Sequence, residues 1–267
     1  MSNSTRIVVL LLACAATLPL ASCARNRARG DTAYVARDVS SLYGAAKRTM
    51  DSGDYLRAAK LFDEVERQHP YSVWARRAQI MSAFNYYLAQ KYTDAISSAQ
   101  RFLTIHPGNA EAPYAHYLVA MSYYQQIADV TRDQAVTQQA SDAFGELIRR
   151  YPESRYAADA RLKLDLINDH LAGKEMEVGR FYQRSGNWLA ASLRFREVVD
   201  KYQTTSHAPE ALERLVESYL ALGTPAEAYK AAAVLGKNHP QNYWYRQSLR
   251  LLLAYEKRHP KQAAWTQ

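Results

Sequence analysis

The side chains able to do acid–base, metal or nucleophilic chemistry in this 267-residue chain are 7 histidines, 26 carboxylates and 2 cysteines. Their spacing decides what they can do. His69, His106, His239 and His259 each precede a proline where an apolar helical pattern stops, which makes them helix-end residues rather than a ligand set. His116, His170 and His207 have no partner at the spacing that brings two imidazoles to one metal. The carboxylate pairs Asp63-Glu64 and Glu175/Glu177 stand among basic residues on polar helix faces and read as solvated. No two glycines are separated by a single residue, so there is no glycine-rich phosphate loop, and neither a nucleophile elbow nor a His-Glu-x-x-His pair occurs. The expectation is a protein with no catalytic residue, no metal and no cofactor.

Of the two cysteines, Cys23 carries chemistry. It closes Leu20-Ala21-Ser22-Cys23 behind Arg6 and an apolar run from Ile7 to Leu18, which is the order of a secretory signal. A membrane-spanning helix needs about 20 apolar residues, whereas here an arginine-rich segment begins at Arg25. The stretch resembles a bacterial lipobox. That resemblance implies that residues 1–22 are removed and that Cys23 becomes the first residue, bearing a diacylglyceryl thioether and an N-acyl chain; two or more chains make a stable anchor. Ala24, where an aspartate would signal inner-membrane retention, favours the outer membrane. Cys14 leaves with the signal, so disulfides, thiol catalysis and cysteine-bound zinc are excluded.

The formal charge is +8, yet acidic and basic residues alternate, as in Asp63-Glu64-Val65-Glu66-Arg67, and this describes a solvated helical surface. Only residues 23–38 are locally biased, with Arg25, Arg27, Arg29 and Arg37 directly behind the anchor. This basic tether either meets anionic lipid headgroups or is a plain flexible spacer. No aromatic-plus-basic RNA motif is visible, so nucleic acid is not an expected partner.

What positions these residues is a repeat. The first unit reads Leu42-Tyr43-Gly44-Ala45-Ala46, Gly53-Asp54-Tyr55, Ala58-Ala59, Phe62, Val65 and His69-Pro70, and a last clear unit runs in the same order from Leu212 to His239-Pro240. The spacing resembles the tetratricopeptide repeat, a helix-turn-helix of about 34 residues. Gly53, Gly186 and Gly223 sit where a first helix must stop and reverse, and the alanine pairs Ala58-Ala59 and Ala190-Ala191 let two helices approach closely. Pro70, Pro107, Pro152 and Pro240 end second helices, while the fourth unit ends at Tyr202-Gln203-Thr204. The expected fold is an all-α superhelix of about five such repeats. Repeats one to three occupy 39–153, with residues 128–133 as an inserted loop, and repeats four and five with a capping helix occupy 154–260, followed by a tail, 261–267. One helix, within Ser154 to Ser185, has no proline and exceeds about 40 Å, joining the two modules.

Tyrosines number 20, and Tyr71, Trp74, Tyr86, Tyr87, Tyr114, Tyr117, Tyr123 and Tyr124 crowd the first helices of units two and three. Those helices line the concave face of such a solenoid, where rings suit an extended, aromatic-rich peptide. A share of them is expected to be core.

Arg150-Tyr151-Pro152-Glu153-Ser154-Arg155-Tyr156 and Tyr182-Gln183-Arg184-Ser185-Gly186-Asn187-Trp188-Leu189-Ala190, with the lipobox and five repeats, resemble the BamD family, lipoproteins of the outer-membrane β-barrel assembly machinery. The resemblance implies a noncatalytic scaffold anchored to the outer membrane and facing the periplasm. Its N-terminal repeats would receive the targeting strand of unfolded β-barrel proteins, with Tyr71 and Trp74 matching the pocket stretch at altered spacing. Its C-terminal repeats would hold the barrel-forming subunit BamA, with Arg194 matching the family's arginine that pairs with an acid on that subunit, and other assembly lipoproteins would bind as well. Arg194 reads equally as a residue covering its helix surface. A pilotin-like or envelope-coordinating repeat lipoprotein is the alternative reading.

Overall fold

The structure, a computed structural model, describes residues 38–127 and 134–260. Cys23 and its lipobox, the basic tether up to residue 37, the inserted residues 128–133 and the tail 261–267 lie outside the described residues. Among the described residues the regular secondary structure is entirely helical: α1 (Val39–Asp51), α2 (Tyr55–Gln68), α3 (Val73–Leu88), α4 (Tyr92–Ile105), α5 (Ala112–Tyr124), α6 (Ala135–Arg150), α7 (Ala157–Arg184), α8 (Trp188–Lys201), α9 (Ala208–Ala221), α10 (Pro225–Asn238) and α11 (Tyr243–Arg258). Successive pairs from α1/α2 to α9/α10 form five helix-turn-helix repeats, and α11 closes the stack as expected.

The turns explain the pairing. Gly53, Gly186 and Gly223 adopt φ of 83°, 74° and 73°, the left-handed region in which a Cβ is costly. The second repeat reverses instead through Gln90 at φ 57°, a non-glycine residue in the same role. The side chains of Asp54 and Asn187 then accept from the backbone N–H of Arg57 and Ala190, capping α2 and α8. Helices α2, α4, α6 and α10 each stop two residues before Pro70, Pro107, Pro152 or Pro240.

Each of the first four second helices buries one phenylalanine, Phe62, Phe102, Phe144 and Phe195, and α10 buries Leu235. Repeats one to three use several small cores, such as Leu42, Phe62 and Ala78 in one and Ala83, Ala99 and Leu118 in another. From Ala172 to Leu252 the core is one continuous cluster that includes Met176, Phe195, Val216 and Leu235.

Helix α7 belongs to both halves. Its 28 residues make a rod of about 42 Å at about 1.5 Å per residue. Ala160, Ile167 and Leu171 pack with Ala120 and Phe144 of the third repeat, whereas Ala172 and Met176 belong to the C-terminal cluster. Gly179 permits the tight crossing with α8, because a Cβ there would stand 2.5 Å from the Phe195 ring. The helix begins at Ala157 rather than Ser154: residues 154–156 form a turn that matters below.

Candidate functional site

A cleft of about 820 Å³ opens in the N-terminal repeats, walled by α1, α3 and α5, the α4–α5 turn and the turn before α7. Val73, Arg76, Arg77 and Ile80 of α3 project into it at helical spacing, so one helix face supplies both cations and apolar surface. Tyr43, Phe102, Tyr114 and Tyr156 add rings, and Asn109 and Glu111 form part of the rim.

The rings form a ladder behind the opening. Tyr156 stacks on Tyr114 with centroids 5.3 Å apart and on Tyr117 at 5.1 Å, and Tyr114 leans on Phe84 at 6.4 Å. Arg155 lies over the Tyr156 ring, 4.8 Å from its centroid, and donates to the Tyr156 hydroxyl. Burial pushes the Tyr114 hydroxyl well above the usual phenol range, so it stays neutral. The charge of the cleft is therefore that of three guanidinium groups against one carboxylate, Glu111. Among the described residues Arg76 and Arg77 form no ion pair, so both are available to a ligand.

Of the aromatic candidates Tyr114 lines this cleft, and the others distribute around it. Tyr71 is fully exposed, two residues ahead of the lining residue Val73. Trp74 packs behind the opening, its ring 4.7 Å from that of Tyr43. Tyr117 supports Tyr156 and donates to Asp159 at 2.7 Å; burial, reinforced by that carboxylate, raises its hydroxyl pKa. Tyr86 turns toward α2, where its hydroxyl donates to Asp63 at 2.7 Å, and burial again raises its pKa. Tyr87 lies 5.9 Å from Tyr92 and accepts from Gln125, and Tyr124 packs edge-on against Phe144 beneath the Lys163 ammonium. Tyr123 lines a separate, shallower trough of about 410 Å³ with His116 and Val119. The residues that build the cleft and that sequence reasoning passed over are Tyr43, Arg76, Arg77, Arg155 and Tyr156. One signal was available: positions 73, 76, 77 and 80 share a helical face.

Arg194 stands on α8, 42% exposed, with Nη1 3.1 Å from Oε2 of Glu175 on α7. A separate cleft of about 420 Å³ is lined by His170, His207, Asp169 and Gly173, with His207 Nε2 3.7 Å from Asp169 Oδ2. Among the described residues no group of three or more His, Cys, Asp or Glu side chains is arranged to hold a metal ion.

The YfiO family model, described as outer membrane lipoprotein, matches residues 35–235, most of the chain. Over 92% of this chain and 81% of its own length, the outer membrane protein assembly factor BamD of Caulobacter vibrioides is 47% identical. This chain belongs to the BamD family. The BamD of Rickettsia prowazekii is 42% identical over 86% of this chain and 92% of its own length, and that of Neisseria meningitidis is 33% identical over 87% and 92%. BamD membership brings a role in outer-membrane protein assembly and association with the outer membrane.

Proposed function

We propose that this BamD-family chain is a noncatalytic scaffold, anchored in the outer membrane through lipidated Cys23 and facing the periplasm. Its N-terminal module, 39–153, receives the targeting strand of unfolded β-barrel substrates, and its C-terminal module, 154–260, holds the barrel-forming subunit BamA, with further assembly lipoproteins alongside. The observation that carries the reading is the cleft in which unpaired Arg76 and Arg77 adjoin Tyr43, Ile80, Tyr114 and Tyr156.

An extended strand places successive side chains on alternate faces. One face would rest its aromatic side chains on the Tyr114–Tyr156 ladder, and the guanidinium groups would take main-chain carbonyls or a terminal carboxylate. No bond is made or broken, so binding alone is the output: the substrate strand is held in an extended form beside the barrel-forming subunit. Trp74 and Tyr117, one layer back, fix the positions of Tyr43 and Tyr156.

The test is fluorescence anisotropy with a labelled peptide copying the last strand of an outer-membrane barrel protein, titrated with the mature chain. Arg76→Glu/Arg77→Glu is expected to weaken binding at least about tenfold, since a desolvated charge-assisted contact is replaced by repulsion. Wild-type affinity in that variant would show that the cleft is not the strand's seat.

A further inference from the structure

Three helices begin at the N-terminal cleft. Its lining takes Val73 and Arg76 from the first turn of α3, Asn109 and Glu111 from the entry to α5, and Arg155 and Tyr156 from the entry to α7. Neither α5 nor α7 has a side chain capping its first N–H groups, so the positive ends of two peptide dipoles meet at one space. Arg76 and Arg77 add two adjacent guanidinium groups near the N-terminus of α3, the end of a helix that least favours cations, and α3 has no acid in its first turn. Among the described residues neither arginine has an ion-pair partner, and an anion beside them relieves their repulsion with each other and with the dipole. One helical turn further along α3 the lining becomes apolar: Ile80 is 7% exposed, and Phe102 behind it 1%.

We infer that the cleft reads the end of a chain: Arg76 and Arg77 take the free α-carboxylate of the bound strand, and its last side chain lies against Ile80 and Phe102. This rests on the proposed seating of a substrate strand in the cleft, and it adds a preference for a terminal strand over an internal one of the same side-chain pattern. Main-chain carbonyls are neutral and alternate in direction along a strand. The terminus alone carries a full negative charge whatever the side chains, on two oxygens in one plane, the shape that a guanidinium meets with paired N–H groups. The α-carboxylate and the last side chain leave the same carbon, and the arginines and Ile80 stand only about 5.4 Å apart along α3, so one residue can engage both. Selection at the arginine pair therefore acts on whether a chain has reached its last residue, a property that side-chain pattern does not carry.

The experiment is fluorescence anisotropy with the mature chain and N-terminally labelled peptides of one barrel-strand sequence, ending in a free carboxylate, in an amide, or in a short neutral extension. The melting curve of Arg76→Gln/Arg77→Gln is checked first. Wild type is expected to bind the free acid at least about tenfold more tightly than the amide or the extended peptide, the size of a charge-assisted contact. In Arg76→Gln/Arg77→Gln that preference is expected to shrink to about twofold or less. Equal binding of acid and amide by wild type overturns the reading of the terminus, while the strand's seat in the cleft survives. Loss with the amide but not with the extended peptide reports net charge rather than a chain end and overturns it as well. A preference that persists in the variant overturns the assignment to Arg76 and Arg77. Failure of wild type to bind any of these peptides overturns the strand reading itself.

Discussion

The two halves of the superhelix use the same repeat and treat charge in opposite ways. Among the described residues the arginines of α3 in the N-terminal cleft have no carboxylate partner, and they stand beside stacked tyrosines. Between α7 and α9 of the C-terminal half the charges are already spent on one another. Arg180 reaches Glu210 at 3.2 Å, Arg214 reaches Glu210 at 3.4 Å and Glu217 at 3.2 Å, Gln183 donates to Glu217, and Arg214 lies 5.7 Å over the Trp244 ring. A surface whose charges are satisfied internally gives a ligand little to bind, whereas one with unpaired cations and exposed rings invites it. The contrast teaches that curvature alone does not make a groove a binding site.

The comparison breaks most readily in the cores. Phe195→Ala should cost about 3–5 kcal/mol, as should Phe62→Ala, because each deletes a fully buried ring. The reach of the damage should differ. Hydrogen exchange is expected to lose protection across α8 to α11 in the Phe195 variant, which opens the continuous cluster, and only across α1 to α3 in the Phe62 variant, which opens a small one. Equal spreading in both would erase the distinction between one core and several.

Glu213 gives the next effect. Burial pushes its carboxyl up to about 7, with Glu217 and Glu210 adding repulsion and Arg214 opposing them. The folded chain therefore holds this proton at pH values where the unfolded chain, with an ordinary carboxyl, has released it. Stability from this group is present in full below about 4.5, falls as pH rises through the window up to about 7, and levels off above it. Denaturant unfolding should show wild type losing roughly 2–3 kcal/mol across that window relative to Glu213→Gln, an order-of-magnitude figure. Parallel pH profiles for the two proteins would refute it.

Smaller still is Tyr117→Phe, which removes the hydrogen bond to Asp159 and should cost about 1 kcal/mol, read as a few degrees in melting temperature. Because Tyr117 also backs Tyr156, strand-peptide affinity should fall slightly if the ladder holds the cleft open, which sharpens the functional side of the contrast. At the bottom of the scale, Lys47→Ala breaks an exposed pair with Asp51 at 3.3 Å and should shift stability by no more than about 0.5 kcal/mol.

The architecture was legible because repeats write their turns into local residues. Gly53, Gly186 and Gly223 mark reversals and the X-Pro steps mark ends, while Gln90 shows that the same turn forms without its usual residue. The cleft was less legible. An arginine reads as solvated in a single sequence, and only packing of α3 against α5 and the turn before α7 turns Arg76, Arg77 and Arg155 toward one space. The tyrosines were hard to place for a related reason: Tyr86 finds its hydroxyl partner, Asp63, on another helix, and no local pattern foretells which ring faces in. Arg194 was singled out through a motif, and its intramolecular partner Glu175 had read as solvent-facing.

Helix α7 gives the contrast between the halves a length scale. Because one unbroken hydrogen-bonded rod is built into the third repeat at one end and into the C-terminal cluster at the other, the N-terminal cleft and the α8 face cannot slide past each other without bending it. The chain is in that sense a caliper. It holds the N-terminal cleft at a set distance from α8, and lengthening or shortening α7 by whole turns would reset the gap in steps of about 5.4 Å.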